Sequence, residues 1–191
     1  MKDLYQFFNH FSPLSENTWM AVQPLFEETF LKKGVFFLQE GQIATQIGFL
    51  RKGVVRAFYR TSEGIEYNKH FFVTPSFIGG YASLITHKPS TIVLQALTDC
   101  EVLKTDFRQL TALYDNHADL ERIARKLAEA YFVQKEEREI DLVLLDAEKR
   151  YEIFQNQYPG LEQMIPQYHI ASYLGVSPTQ LSRIRKKISG R

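Results

Sequence analysis

The spacing of apolar residues changes character three times along the chain. Residues 1–30 repeat at helical intervals, and Ser15 is placed to cap a segment carrying Trp19, Val22, Leu25 and Phe26. Residues 31–105 switch to short runs rich in Phe, Val, Ile and Tyr, such as VFFLQEG, IGFLRKGVVRAFYR and IEYNKHFFV. Gly34, Gly41, Gly53 and Gly64 punctuate them, and Lys52-Gly53 and Glu63-Gly64 read as hairpin turns. TIVLQALTDCEVLKT fits two further strands broken near Thr98-Asp99, so the region predicts a sandwich, barrel or roll. Residues 106–145 return to the helical period. Leu120, Ile123, Leu127 and Ala130 follow a 3–4–3 spacing, with Glu121, Arg122, Arg125, Lys126 and Glu129 between them. So narrow a stripe suits a two-helix dimer contact, or packing on the chain's own sheet. A helix around Lys149–Gln157 and a turn at Pro159-Gly160 follow.

The last stretch, HIASYLGVSPTQLSRIRKKISGR, carries the densest local signals. Pro166 suits a first helical turn. Ile170, Ala171 and Leu174 make an inner face, Gly175 permits the left-handed turn that ends a helix, and Val176 plugs the corner. Ser177 then caps a second helix that begins at Pro178, and Gln180 completes a Ser-x-x-Gln capping box. Leu181, Ile184 and Ile188 form the buried stripe of that helix. Two helices joined by a tight Gly-containing turn, the second basic, predict a helix-turn-helix.

Charge strengthens that reading. The whole chain carries +1, but residues 164–191 hold Arg183, Arg185, Lys186, Lys187 and Arg191 with nothing acidic, leaving −4 for residues 1–163. Such segregation points to a polyanion. A helix entering the major groove presents its N-terminal residues to base edges, here Thr179, Gln180, Ser182 and Arg183. Arg183 has the fork that matches guanine, and Gln180 can pair with adenine. Arg185, Lys186 and Lys187 suit phosphates.

With these residues in view, the chain from about Phe11 to Lys187 resembles the cyclic-AMP receptor/FNR (Crp/Fnr) family of bacterial transcription regulators, in its short forms. The resemblance rests on Gly34, Gly41, GVVRAFY at Gly53–Tyr59, TDCEV at Thr98–Val102 and IASYLGVSPTQLSRIRKK. It implies an α+β fold: a cyclic-nucleotide-binding-like antiparallel β-roll sensor in residues 1–115, a dimerisation helix in 116–145 and a DNA-binding helix-turn-helix in 146–191. It also implies a homodimer on double-stranded DNA, a small-molecule effector and RNA polymerase as a partner. The ligand cassette aligns with Phe77, Gly79, Gly80, Tyr81, Ala82, Ser83, Ser90 and Thr91 in FIGGYASLITHKPST. Members that bind cyclic AMP carry a Glu where Gly80 stands and an Arg where Ser90 stands. A buried phosphate without its cation carries a large desolvation penalty. The expected effector is therefore not cyclic AMP. Pro178 and Thr179 also replace the family's first two base-reading residues, while Arg183 keeps the third. The stretch from Gln157 to Ile165 leaves little room for the hairpin wing that often precedes the helix pair.

Other constellations add little. His10, His70, His87, His117 and His169 show no ligand spacing, and each reads as a surface or partly buried residue. Cys100 lies in an apolar strand pattern and reads as inert core. Ser12, Ser76, Ser83 and Ser90 have no patterned base, so an enzyme reading has no support. No apolar leader or bilayer-length run appears, so a cytoplasmic protein with no membrane partner is expected. The alternative function is a small-ligand-binding β-roll whose basic helices dock on a protein partner.

Overall fold

Capping chemistry sets the first elements in the computed structural model, which describes residues 1–189. Helix α1 (Lys2–Phe11) precedes α2 (Glu16–Val22), where Ser15 Oγ accepts the Thr18 N–H, and a short 3-10 turn follows. Then come β1 (Glu27–Leu31), β2 (Phe36–Leu38), β3 (Gln46–Lys52), β4 (Val54–Arg60), β5 (Glu66–Val73) and β6 (Ser76–Ile78). Helix α3 (Tyr81–Thr86) leads to β7 (Val93–Ala96) and β8 (Cys100–Asp106). The C-terminal helices are α4 (Phe107–Thr111), α5 (Ala118–Leu144), α6 (Ala147–Gln157), α7 (Leu161–Met164), α8 (Gln167–Leu174) and α9 (Pro178–Ser189).

The strands form two antiparallel sheets, ordered β1-β8-β3-β6 and β2-β7-β4-β5. Glu63-Gly64 closes a true hairpin: β4 pairs with β5, and the Thr61 N–H donates to Ile65 O at 2.9 Å. Lys52-Gly53 does not, because β3 and β4 lie in different sheets. Gly53 instead turns the corner between them with φ at 98°, and a Cβ there would stand 2.6 Å from Asp99 O and Cys100 Sγ. A glycine beside a lysine looks the same in sequence whether the chain reverses within a sheet or crosses between two.

Three apolar cores result. The roll interior packs Leu38, Ala44, Leu50, Val55, Ala57, Ile78, Leu84, Leu94 and Cys100. A second core lies under the N-terminal helices, joining Leu4, Phe8, Phe49, Phe77 and Leu103. A third lies outside the β4–β5 face, where Val54, Phe71 and Leu97 meet Tyr151, Phe154, Tyr158, Ile170, Tyr173 and Leu181 of the C-terminal helices. Every residue from Val54 to Phe58 is consequently buried. That strand is covered on both faces, as its near-continuous apolar run allows.

Helix α5 settles the two uses open to its stripe. Leu120 and Ile123 are 2% and 1% exposed within a single chain, in the second core, and Leu127 packs on the same cluster. Burial on this scale is worth about 1.5–3 kcal/mol per side chain. Leu120 and Ile123 have no surface left for a partner, which removes them from the expected dimer seam; Leu127 is half-buried and Ala130 is exposed. The start of α5 is pinned further: Asp119 accepts from the Ser15 N–H at 2.8 Å and the Thr18 hydroxyl at 2.7 Å. Burial opposes its charge, but these donors prevail and hold its pKa down at about 2. No helix of the described residues is long and apolar enough to cross a membrane.

Candidate nucleic-acid interface and effector cassette

The predicted helix pair forms as its residues dictate. Gly175 ends α8 in the left-handed conformation (φ 69°, ψ 33°), and the Val176 N–H reaches back to Ala171 O at 3.0 Å. Ser177 Oγ accepts the Gln180 N–H at 3.1 Å, so the cap is made. Leu181 and Ile184 are buried against the third core, with Ile188 partly so. That anchoring turns Pro178, Thr179, Gln180, Ser182 and Arg183 outward, and all five are exposed.

The remaining cations are disposed differently. Arg185 Nη2 lies 3.7 Å from Glu162 Oε1, and Glu162 also accepts the Tyr151 hydroxyl at 2.6 Å. Lys187 pairs with Glu148. Two of the expected phosphate ligands therefore lean back onto α7 and α6. Lys186 is exposed and also has an interaction within the chain. Arg191 lies outside the described residues. Between α6 and α8 the described chain holds only the single turn α7, with no strand.

The cassette residues scatter. Phe77 turns away from the roll interior into the second core, its ring 5.4 Å from Phe49, so it lines no effector pocket. Tyr81, Ala82 and Thr91 are exposed, and Tyr81 sets its ring edge on Phe107. Gly79, Gly80, Ser83 and Ser90 do gather, but their surroundings are closed. A Cβ on Gly80 would stand 2.4 Å from Leu38 Cδ2, so the position has no room for a carboxylate side chain. Ser83 Oγ accepts the Ala44 N–H and donates to Lys88 O, and Ser90 Oγ donates to Ile92 O. Lys88 itself is exposed and supplies no inward cation. Among the described residues no His, Cys, Asp and Glu group is arranged to hold a metal.

Residues 28–117 match the cyclic nucleotide-binding domain family. Among solved structures, the chain is similar to FixK2 of Bradyrhizobium japonicum (16% identity, TM-score 0.75, 86% of this chain and 85% of that one). It is also similar to the c-di-GMP responsive global regulator CLP of Xanthomonas campestris (16%, TM-score 0.70, 92% of each chain). A third is described as a transcriptional regulator of the Crp/Fnr family from Eubacterium rectale (15%, TM-score 0.74, 96% and 88%). The chain has the Crp/Fnr fold and carries its cyclic nucleotide-binding domain. No curated protein matches the sequence.

The outer face of this cyclic nucleotide-binding domain holds a polar cluster that the sequence did not announce. Arg56, 5% exposed, places Nη1 2.7 Å from Glu66 Oε2 and 3.2 Å from His169 Nδ1. Its Nε and Nη2 donate to Gln95 Oε1 at 3.0 and 2.7 Å, and its guanidinium lies 3.8 Å from the Phe58 ring centre. Asn68 Nδ2 donates to His169 O at 3.0 Å. His169, expected near the surface, is buried here. Burial foremost, then the adjacent Arg56 charge, lowers its pKa to about 4, so the neutral ring offers Nδ1 as an acceptor. His70 is likewise lowered to about 4 by burial, with Arg138 and Lys69 adding to it, and its Nδ1 lies 3.3 Å from the Tyr158 hydroxyl. One signal was available: an arginine amid an apolar run with no alternation marks a strand covered twice over.

Proposed function

We propose that the chain is a dimeric DNA-binding transcription regulator of the Crp/Fnr type whose effector is not cyclic AMP. The observation that carries the reading is the first turn of α9. Its face of Pro178, Thr179, Gln180, Ser182 and Arg183 is exposed while Leu181 and Ile184 anchor the other side. A groove-reading helix needs that division. Gln180 gives only its backbone N–H to Ser177, which leaves its amide for a base. Titrating duplexes selected from a random pool tests the reading. Arg183→Ala is expected to cost about 1–3 kcal/mol and to relax preference at one position. An unchanged preference removes Arg183 from reading, and a chain that ignores every duplex at low salt removes the function itself. A basic face built for a protein partner would give that second result.

Dimerisation is assigned to the distal half of α5, where Phe132, Val133, Ile140, Val143 and Leu144 are exposed. Val133, Ile140 and Leu144 follow one another at seven and four residues, on one face of the helix about a third of a turn round from the stripe buried in the chain's own core. Two half-sites about 34 Å apart are expected for such a pair. The effector reading rests on Gly80, Leu38 and Ser90. The Xanthomonas regulator of this fold is c-di-GMP responsive, so the fold itself does not select cyclic AMP. Calorimetry with cyclic AMP is expected to show no micromolar isotherm, and a clear one refutes this part.

A further inference from the structure

Apolar contact between α8 and the β4–β5 face fixes their distance, but rings such as Phe71 and Tyr173 permit sliding and rotation. Directional bonds do not. Strand β5 is the edge of its sheet, and α8 completes that edge. The Ser172 hydroxyl accepts the Asn68 N–H at 3.0 Å and donates to Glu66 O at 2.9 Å, filling a donor and an acceptor two residues apart on the free edge. Asn68 then grips His169 O with its amide. Behind both stands Arg56, whose charge is held by Glu66, with Arg60 sharing the same carboxylate at 2.9 Å. A guanidinium buried among so many directed partners tolerates few arrangements, because any shift of α8 leaves a polar group unpaired.

We propose that Arg56 is a positioning residue that fixes the helix-turn-helix against the roll in one orientation, acting through Glu66, Asn68 and His169 on α8 and so on α9. The inference builds on the DNA-binding reading above. It makes the angle of α9 a property of the sheet and not of the α5–α6 junction alone. A change within β4, β5 or β7 would then reach the reading helix through rigid bonds.

The test uses the full chain with spin labels at Lys88→Cys and Gln163→Cys, both exposed sites, diluted with unlabelled protein so that only distances within one chain are read. The parent is expected to give one narrow distance distribution. Arg56→Met and Ser172→Ala are each expected to broaden it, and to weaken binding to the selected duplex about tenfold while affinity for an unrelated duplex at low salt changes less than about twofold. Ser172→Ala keeps a good helix former and decides the matter alone if Arg56→Met does not fold. Distributions as narrow as the parent's overturn the proposal. If the parent binds no duplex, the DNA reading falls, and the distance measurement still judges the positioning role.

Discussion

The two faces of the β2-β7-β4-β5 sheet have opposite chemistry. The inward face, where a nucleotide cassette would look, is sealed by Leu38, Ala44, Leu84 and Leu94 and has hydroxyls satisfied by neighbouring backbone. The outward face, which in an isolated domain would meet water, carries a buried cation, a neutral imidazole and an amide in mutual contact. The buried cation and its directed partners lie between the sheet and α8 and not inside the roll. A shared overall shape thus marks the place for a pocket, while the side chains decide which face holds the directed contacts.

The largest expected effect attacks the sealed face. Gly80→Glu drives a side chain into Leu38 and buries a carboxylate with no cation, which is expected to destabilise by about 4 kcal/mol in urea unfolding. Adding Leu38→Ala is expected to cost less than the sum of the two single changes, since it vacates the space. Strict additivity would show that the two positions do not touch.

Acid attacks two histidines, His169 in the outward cluster and His70 on the edge strand β5. His70 and His169 both have folded pKa values near 4 against 6.5 when unfolded. Below pH 6.5 the unfolded chain therefore binds more protons, so the stability held above that pH is lost progressively down to about 4. The pair is expected to lose about 2 kcal/mol between about pH 6 and 5, read as a falling urea midpoint. Replacing both with Asn is expected to flatten that window, and a slope that survives would locate the effect elsewhere.

The smallest effect lies away from both faces. Glu162→Gln and Glu148→Gln release Arg185 and Lys187 from their pairs. The salt slope of DNA binding is expected to steepen by about one phosphate for each cation freed. An unaltered slope would mean that these side chains reach phosphates despite their partners.

Local chemistry was legible in the sequence wherever neighbours decide it. Ser15, Gly64, Gly175 and Ser177 act within a few residues of themselves, and each sits where its residue type predicts. Misreadings came where a local pattern has two tertiary uses. Gly53 serves a corner as well as a hairpin, and a helical stripe at Leu120 and Ile123 packs on a sheet as well as on a partner. The family resemblance puts Phe77 in the ligand cassette, yet strand alternation sends it to the other core, opposite Ile78. The Arg56–His169 contact joins positions 113 residues apart, and no window along the chain contains both.

The embedding of α5 bears on how the molecule can be dissected. A fragment ending at residue 115 would surrender Leu120 and Ile123, leaving Phe8, Phe49 and Leu103 wet on that side. An excised roll must keep α5 at least through Leu127, so the smallest piece that preserves the second core carries the base of the long helix with it.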